Sequence, residues 1–184
     1  MILRLTDVVL SSVLLVMLTP ILIILFIIGY FDTGNPIFTQ TRIGVGKRPF
    51  TLFKFRSMPN FTCEVPTHLV SIKNISSWGR FIRKYKLDEL PQLLNVLFGN
   101  MSMVGPRPCL KLQHDVIIAR DKLGVFDFRP GITGLAQLAS VDMSMPDELA
   151  SLDYHMMSTM SFRKYMHILF CTLIGRGFRN SIKN

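Results

Sequence analysis

Residues Val8 to Ile28 read VVLSSVLLVMLTPILIILFII and contain no charged side chain. A helix of about 21 residues matches the ~30 Å hydrocarbon core of a bilayer, so this run decides the class of fold. It is too long for the apolar part of a signal peptide, and no small-x-small cleavage pattern follows it. Pro20 lies inside it, removing a backbone donor and crowding the carbonyl four residues earlier, so a bend is expected near Thr19. Arg4 precedes the run, whereas Arg42, Lys47, Arg48, Lys54 and Arg56 follow it. Positive charge therefore marks neither end as the only cytoplasmic one. Both a spanning helix and a bent, re-entrant helix satisfy the pattern.

The rest of the composition fits a membrane-bound protein of one domain. The chain has 184 residues, 49% of them hydrophobic, and 21 Lys+Arg against 12 Asp+Glu give a net charge of +9. That charge favours anionic partners: phosphorylated metabolites, a lipid surface or nucleic acid. Nucleic acid is disfavoured because the aromatic residues are not interleaved with the basic ones as in a stacking platform. Cys63, Cys109 and Cys171 are scattered without a CxxC spacing, which argues against a zinc site or a disulfide framework and fits a reducing compartment.

Beyond the apolar run, IFTQTRIGVGKRPFTLFKF has two β-prone segments around a glycine turn and predicts a hairpin from about Ile37 to Phe55. Its GVGK lacks the remainder of a phosphate-binding P-loop. The polar stretch from Asn60 to Asn74 reads as a mobile loop. Helices are expected from Ser77 through WGRFIRKY, from DELPQLLNVLF to a glycine cap at Gly99, over Leu110 to Lys122, and from a capping box at Ser144 and Asp147 through Met157. FRPGITGLAQL reads as a turn leading into an extended piece. The last apolar segment, SFRKYMHILFCTLIGRGFR, is too short to span and suits either the membrane interface or ordinary packing.

Chemistry concentrates in KLDELPQLLNVLFGNMSMVGPRP, Lys86 to Pro108. Asp88 is placed to cap the following helix, with Pro91 in its first turn, and Glu89 favours the helix dipole. Consecutive carboxylates on one turn diverge by roughly 100° and cannot flank a glycosidic bond. They can divide labour, one attacking or taking a proton while the other holds a divalent cation such as Mg²⁺. Arg83 lies about one turn before the pair, Arg107 stands between Pro106 and Pro108, and Arg129 precedes Pro130. Guanidinium forks suit phosphate oxygens. His68, His114, His155 and His167 show no metal spacing, no serine lies in a GxSxG elbow, and the Met-rich segments read as core filling.

Four ordered pieces, GNPIFTQTRIG, FKFRSM, LDELPQLLNVLFGNMSMVGPRP and RPGITGLAQ, resemble the bacterial sugar transferases, specifically the monotopic phosphoglycosyl transferases. The resemblance implies an α+β, mainly α, single membrane-embedded domain. A re-entrant, kinked N-terminal helix over residues 1–30 would carry a catalytic domain over 31–184, with a small β-hairpin and amphipathic interfacial helices. It implies transfer of a phosphosugar from a UDP-sugar to a polyprenyl phosphate such as undecaprenyl phosphate. UMP would be released, with Mg²⁺ as cofactor, at the cytoplasmic face of the bacterial inner membrane, to begin surface glycan assembly.

By motif match Asp88 would be the nucleophile and Glu89 the Mg²⁺ ligand. Lys54, Arg56, Arg83, Arg107 and Arg129 would contact the substrate phosphates. Of the family's Lys-Arg-x-Phe-Asp start this chain keeps Arg4 and Asp7, and Thr19-Pro20 stands where Ser-Pro is frequent. The region after Gln137 departs from the family's Asn-Gly-Arg pattern, leaving Asp142 and Asp153 as weak substrate-contact candidates. The alternative is a non-catalytic membrane protein that binds polyprenyl phosphate or scaffolds glycan enzymes, which the intact acidic pair argues against.

Overall fold

The computed structural model describes residues 2–58 and 76–175. The expected loop at Asn60 to Asn74, Cys63, His68 and the basic end beyond Gly175 lie outside the described residues, wholly or nearly so. Eleven elements follow in chain order. Helix α1 (Ile2–Thr33) leads into the hairpin β1 (Ile37–Ile43) and β2 (Pro49–Phe55), then α2 (Ser77–Lys84), α3 (Gln92–Leu97) and β3 (Ser102–Val104). After these come α4 (His114–Lys122), β4 (Gly131–Thr133), α5 (Leu135–Leu138), α6 (Pro146–Ser158) and α7 (Phe162–Leu173). The protein is mainly helical, as the sequence predicts.

The hairpin lies where the alternation puts it, pairing Ile37 with Phe55 and Ile43 with Pro49 in antiparallel register. The turn uses Gly46 and Lys47 at positive φ, so GVGK is a hairpin turn. Strands β3 and β4 form a second, parallel pair, with Ser102 against Gly131 and Val104 against Thr133. A Cβ on Gly105 or Gly131 would overlap the facing backbone, so glycine is required for this close approach.

Several expected boundaries shift for local reasons. Ser76, one residue before Ser77, caps α2 by accepting from Gly79 N at 2.8 Å. The first turn expected at Leu110 is instead a bend in which Gln113 Oε1 accepts from Leu110 N at 2.8 Å, and α4 starts at His114. The Ser144 capping box does not form, because Ser144 bonds to Asp142 Oδ1 and Met145 occupies the cap position of α6. Gly99, at φ 87°, ends α3 as expected.

Helix α1 is one element with Pro20 inside it, and the Thr19 hydroxyl donates to Leu15 O at 2.7 Å. It is the one described helix long and apolar enough to cross a membrane by length and composition. Leu3, Leu14, Leu15 and Leu18 pack on a core containing Leu93, Val96, Met101 and Met103, whereas Leu22 and Leu25 join Phe55, Ile82 and Trp78. Successive contacts three or four residues apart make one stripe along the helix that faces protein. The opposite face exposes Val9, Val16, Ile23, Ile27 and Phe31. Apolar on both faces, α1 has a protein side and a second side that water would penalise.

Two charged residues fix its first turns. Asp7, 3% exposed, accepts from Met103 N at 2.8 Å, Ser102 Oγ at 2.9 Å and Tyr165 Oη at 2.6 Å, all through Oδ1. Arg4 donates to the terminal carbonyls of α3, Val96 O at 2.7 Å and Leu97 O at 3.1 Å. Replacing Asp7 with Ala strands three donors and is expected to cost about 3 kcal/mol. That corresponds to a Tm drop of roughly 6–12 °C in detergent. Asp7→Asn keeps an acceptor oxygen and should lose less than half as much; equal losses would mean that the hydrogen bonds to Oδ1 are not what holds α1.

Candidate active site

The acidic pair sits on a 3₁₀ turn, Leu87–Glu89, between α2 and α3. Lys86 enters this turn at φ 54°, a left-handed conformation that costs a non-glycine residue energy and recurs at functional sites. Leu87 and Leu90, on either side of the pair, pack on the cluster of Leu25, Phe55 and Ile82. The turn is thus pinned at both ends while Asp88 and Glu89 stay only partly buried. The expected capping role of Asp88 is not realised. Pro91 occupies the cap position of α3, and no side-chain cap bond forms there. No hydrogen bond from a described residue reaches the Asp88 carboxylate.

Three expected basic residues converge on that carboxylate. Lys54, on β2, Arg83, at the end of α2, and Arg107 all exert a favourable charge on Asp88. Burial, followed by the like charge of Glu89, nonetheless outweighs them and pushes Asp88 up to about 6. Lys54 moves the other way: burial, then the Arg42 charge, lowers it to about 8. Arg83 is anchored through Nε to the buried Ser57 Oγ at 2.7 Å, and Arg107 meets Glu89 Oε1 at 3.3 Å. The result is a carboxylate that is easily neutralised and that feels positive charge from separate elements.

The other two expected phosphate contacts are directed differently. Arg56 donates to Asn35 O at 2.8 Å and, with Lys54, lies over the Phe38 ring. Arg129 donates to Gly99 O at 3.0 Å, beyond the end of α3. Neither belongs to the charges that shift Asp88. Asp153 is not available to a substrate, because it is buried against Arg120 at 2.6 Å, and Asp142 bonds to Ser144.

Arg42 was missed as a site residue. It is buried beneath the site, donating to Pro108 O at 3.0 Å and Gln40 Oε1 at 2.7 Å, and it bears electrostatically on Lys54. Its signal is the alternation of β1, which puts Gln40 and Arg42 on the same, inward face.

Among the described residues no group of three or more His, Cys, Asp or Glu side chains could hold a metal by itself. The two carboxylates are hard oxygen donors of the kind Mg²⁺ takes when phosphate oxygens complete its shell, so the residues present fit that ion with substrate bound.

A family model described as bacterial sugar transferase matches residues 1–177. The chain is 37% identical over 154 residues to the uncharacterized sugar transferase EpsL of Bacillus subtilis, covering 82% of this chain and 76% of that protein. It is 37% identical over 141 residues to the UDP-glucose:undecaprenyl-phosphate glucose-1-phosphate transferase of Klebsiella pneumoniae, covering 73% of this chain and 30% of that one. The protein of the same name from Caulobacter vibrioides is also 37% identical, over 143 residues, covering 73% and 52% respectively. The chain therefore spans about a third to a half of those two transferases.

The raised Asp88 has a stability consequence. Unfolded, the carboxyl titrates near 3.8; folded, it titrates near 6, so the native state holds more protons between these values. Stability from this group is complete below about 4 and is lost as pH rises through about 6. Asp88→Asn, which does not ionise, should therefore gain Tm relative to the parent as pH rises from 4 to 7, in paired thermal melts. A pH-independent difference would mean that the site does not strain this charge.

Proposed function

We propose that this chain, which belongs to the bacterial sugar transferase family, transfers a phosphosugar from a UDP-sugar to a polyprenyl phosphate such as undecaprenyl phosphate, releasing UMP. The observation that carries the reading is Asp88 itself: a carboxylate without a described hydrogen-bond partner, in the field of Lys54, Arg83 and Arg107. A carboxylate held this way is free to attack phosphorus while the cations neutralise the phosphate oxygens. The relatives' printed reaction, from UDP-glucose to undecaprenyl phosphate, names the substrates such a site would take.

In the first displacement an Asp88 oxygen bonds to the sugar-bearing phosphorus, and the bond from that phosphorus to the bridging oxygen breaks. UMP leaves with those electrons. In the second, an oxygen of the lipid phosphate attacks the same phosphorus and frees the Asp88 carboxylate. Dividing the reaction lets a soluble and a lipidic substrate use one site in turn, in ping-pong order. Arg83 and Arg107 orient the phosphates, and protonated Lys54 offsets the charge gathering at the leaving side. Glu89 would hold Mg²⁺, which would supply neutralisation of phosphate charge when bound.

The membrane arrangement belongs to the same proposal. A helix of 32 residues that keeps one stripe on its own domain from Leu3 to Gly29 would, bent at Pro20, lie within one leaflet and return to the cytoplasmic face of the inner membrane. The exposed face of α7, with Phe162, Met166, Phe170 and Leu173, rests in the same lipid. Single cysteines at positions 2 and 31, in a cysteine-free background in sealed vesicles, should react with an impermeant maleimide from one side. Labelling from opposite sides would make α1 a spanning helix.

Activity is tested by UMP release from protein in nanodiscs with Mg²⁺, undecaprenyl phosphate and a panel of UDP-sugars led by UDP-glucose. Lipid-dependent release is expected, and Asp88→Asn should abolish it. The pH profile of kcat/KM should rise through about 6 as Asp88 ionises and fall through about 8 as Lys54 loses its proton. Well-folded protein that binds the lipid phosphate but turns over no sugar in the panel would favour a non-catalytic binder.

A further inference from the structure

Arg120 and Asp153 form an ion pair almost wholly removed from water, at 2% and 1% side-chain exposure. Asp153 Oδ2 takes both Nε, at 3.0 Å, and Nη2, at 2.6 Å. Such pairs add little net stability, because desolvation offsets their attraction. What distinguishes this one is its remaining terminal nitrogen: Nη1 leaves the pair and donates to the carbonyl of Arg107 at 2.8 Å.

That carbonyl lies between two prolines. Pro106 and Pro108 have no N–H, so the backbone around Arg107 is fixed mainly through its oxygens. Every one of them is engaged. Pro106 O accepts from Gly131 N at 2.9 Å, Arg107 O from Arg120, Pro108 O from Arg42 at 3.0 Å, and Cys109 O from Ile43 N at 3.0 Å. The Arg107 side chain, by contrast, is exposed and reaches Glu89 on the catalytic turn.

We propose that Arg120, oriented by Asp153, is a positioning residue that fixes the backbone of Arg107 and so aims its guanidinium at the phosphates. The inference rests on the phosphoglycosyl transferase reading of the site. Arg120 is buried and meets the carbonyl of Arg107 and the side chain of Cys109, so it acts by positioning and not by contact with a ligand. A guanidinium presented from an immobile backbone has only its own rotamers to lose on binding, and a displacement of about 1 Å at such a group can cost roughly 100-fold in rate.

The test uses the full chain in nanodiscs and two substitutions. Arg120→Lys keeps a charge for Asp153 but cannot serve both partners. The paired change Arg120→Met with Asp153→Leu removes the buried charges and keeps apolar volume, which guards against misfolding of the first. Site-resolved phenylglyoxal labelling of Arg107 should accelerate several-fold in either variant, because the contact with Glu89 is loosened. kcat/KM for UMP release should fall roughly 10–100-fold, and on an Arg107→Ala background Arg120→Lys should have no further effect. An unchanged Arg107 labelling rate in a folded variant overturns the proposal, as does a loss that adds fully to that of Arg107→Ala. If the parent protein shows no turnover, the transferase reading fails, yet the labelling still decides whether Arg120 positions Arg107.

Discussion

One carboxylate oxygen joins three distant parts of the chain. Asp7 Oδ1 gathers the backbone of Met103, the hydroxyl of Ser102 and the phenol of Tyr165, so α1, β3 and α7 meet at a single buried acceptor. One turn earlier, Arg4 holds the end of α3. The consequence reaches the turn that carries Asp88 and Glu89. Residues 88 to 107 start on the 3₁₀ turn, run through α3 to Arg4's grip, and continue through β3 from Asp7's grip to Arg107. The loop carrying the acidic pair and its arginine is thus tied twice, near its middle, to the first turns of the apolar helix.

The site itself balances burial against charge. Burial raises Asp88 and lowers Lys54, each toward its neutral form, while their mutual attraction opposes both shifts. A fully exposed carboxylate would be ionised but shielded by water, and a fully buried one would be protonated. The partly buried turn keeps Asp88 between these limits, and Arg83 and Arg107 bias it toward the charged form. Backbone rigidity supplies what the charges cannot, because glycine-tight pairing of β3 with β4 leaves little room for the segment leading to Arg107 to move.

Local patterns in the sequence were enough where the structure is local. The alternation from Ile37 to Phe55 gave the hairpin in full, and Gly99 closes α3 in the left-handed form that the spacing predicts. Asp88 shows where locality stops. As a plausible cap it was displaced, because the packing of Leu87 and Leu90 and the left-handed Lys86 impose a 3₁₀ turn first. Motif resemblance pointed to Arg83 and Arg107 correctly as neighbours of the acidic pair, but it could not separate them from Arg56 and Arg129, which the fold directs to backbone carbonyls. Arg42 and Arg120 escaped notice because their partners lie 66 and 33 residues away. Arg4 and Asp7 were visible as retained family residues, although their partners were not.

The wide spacing of Asp7's partners also bears on how the protein is made. Asp7 and Tyr165 are separated by 158 residues. At a synthesis rate of about 5–20 residues per second, roughly 8–30 seconds pass between their appearance. Until Tyr165 emerges, the apolar helix lacks one of the three donors that meet Asp7 Oδ1. A helix this apolar is penalised by water for as long as that contact is missing. The last long helix then completes the lock. The attachment of α1 to its domain is thus finished only when α7 is made, well after the acidic turn and its basic neighbours.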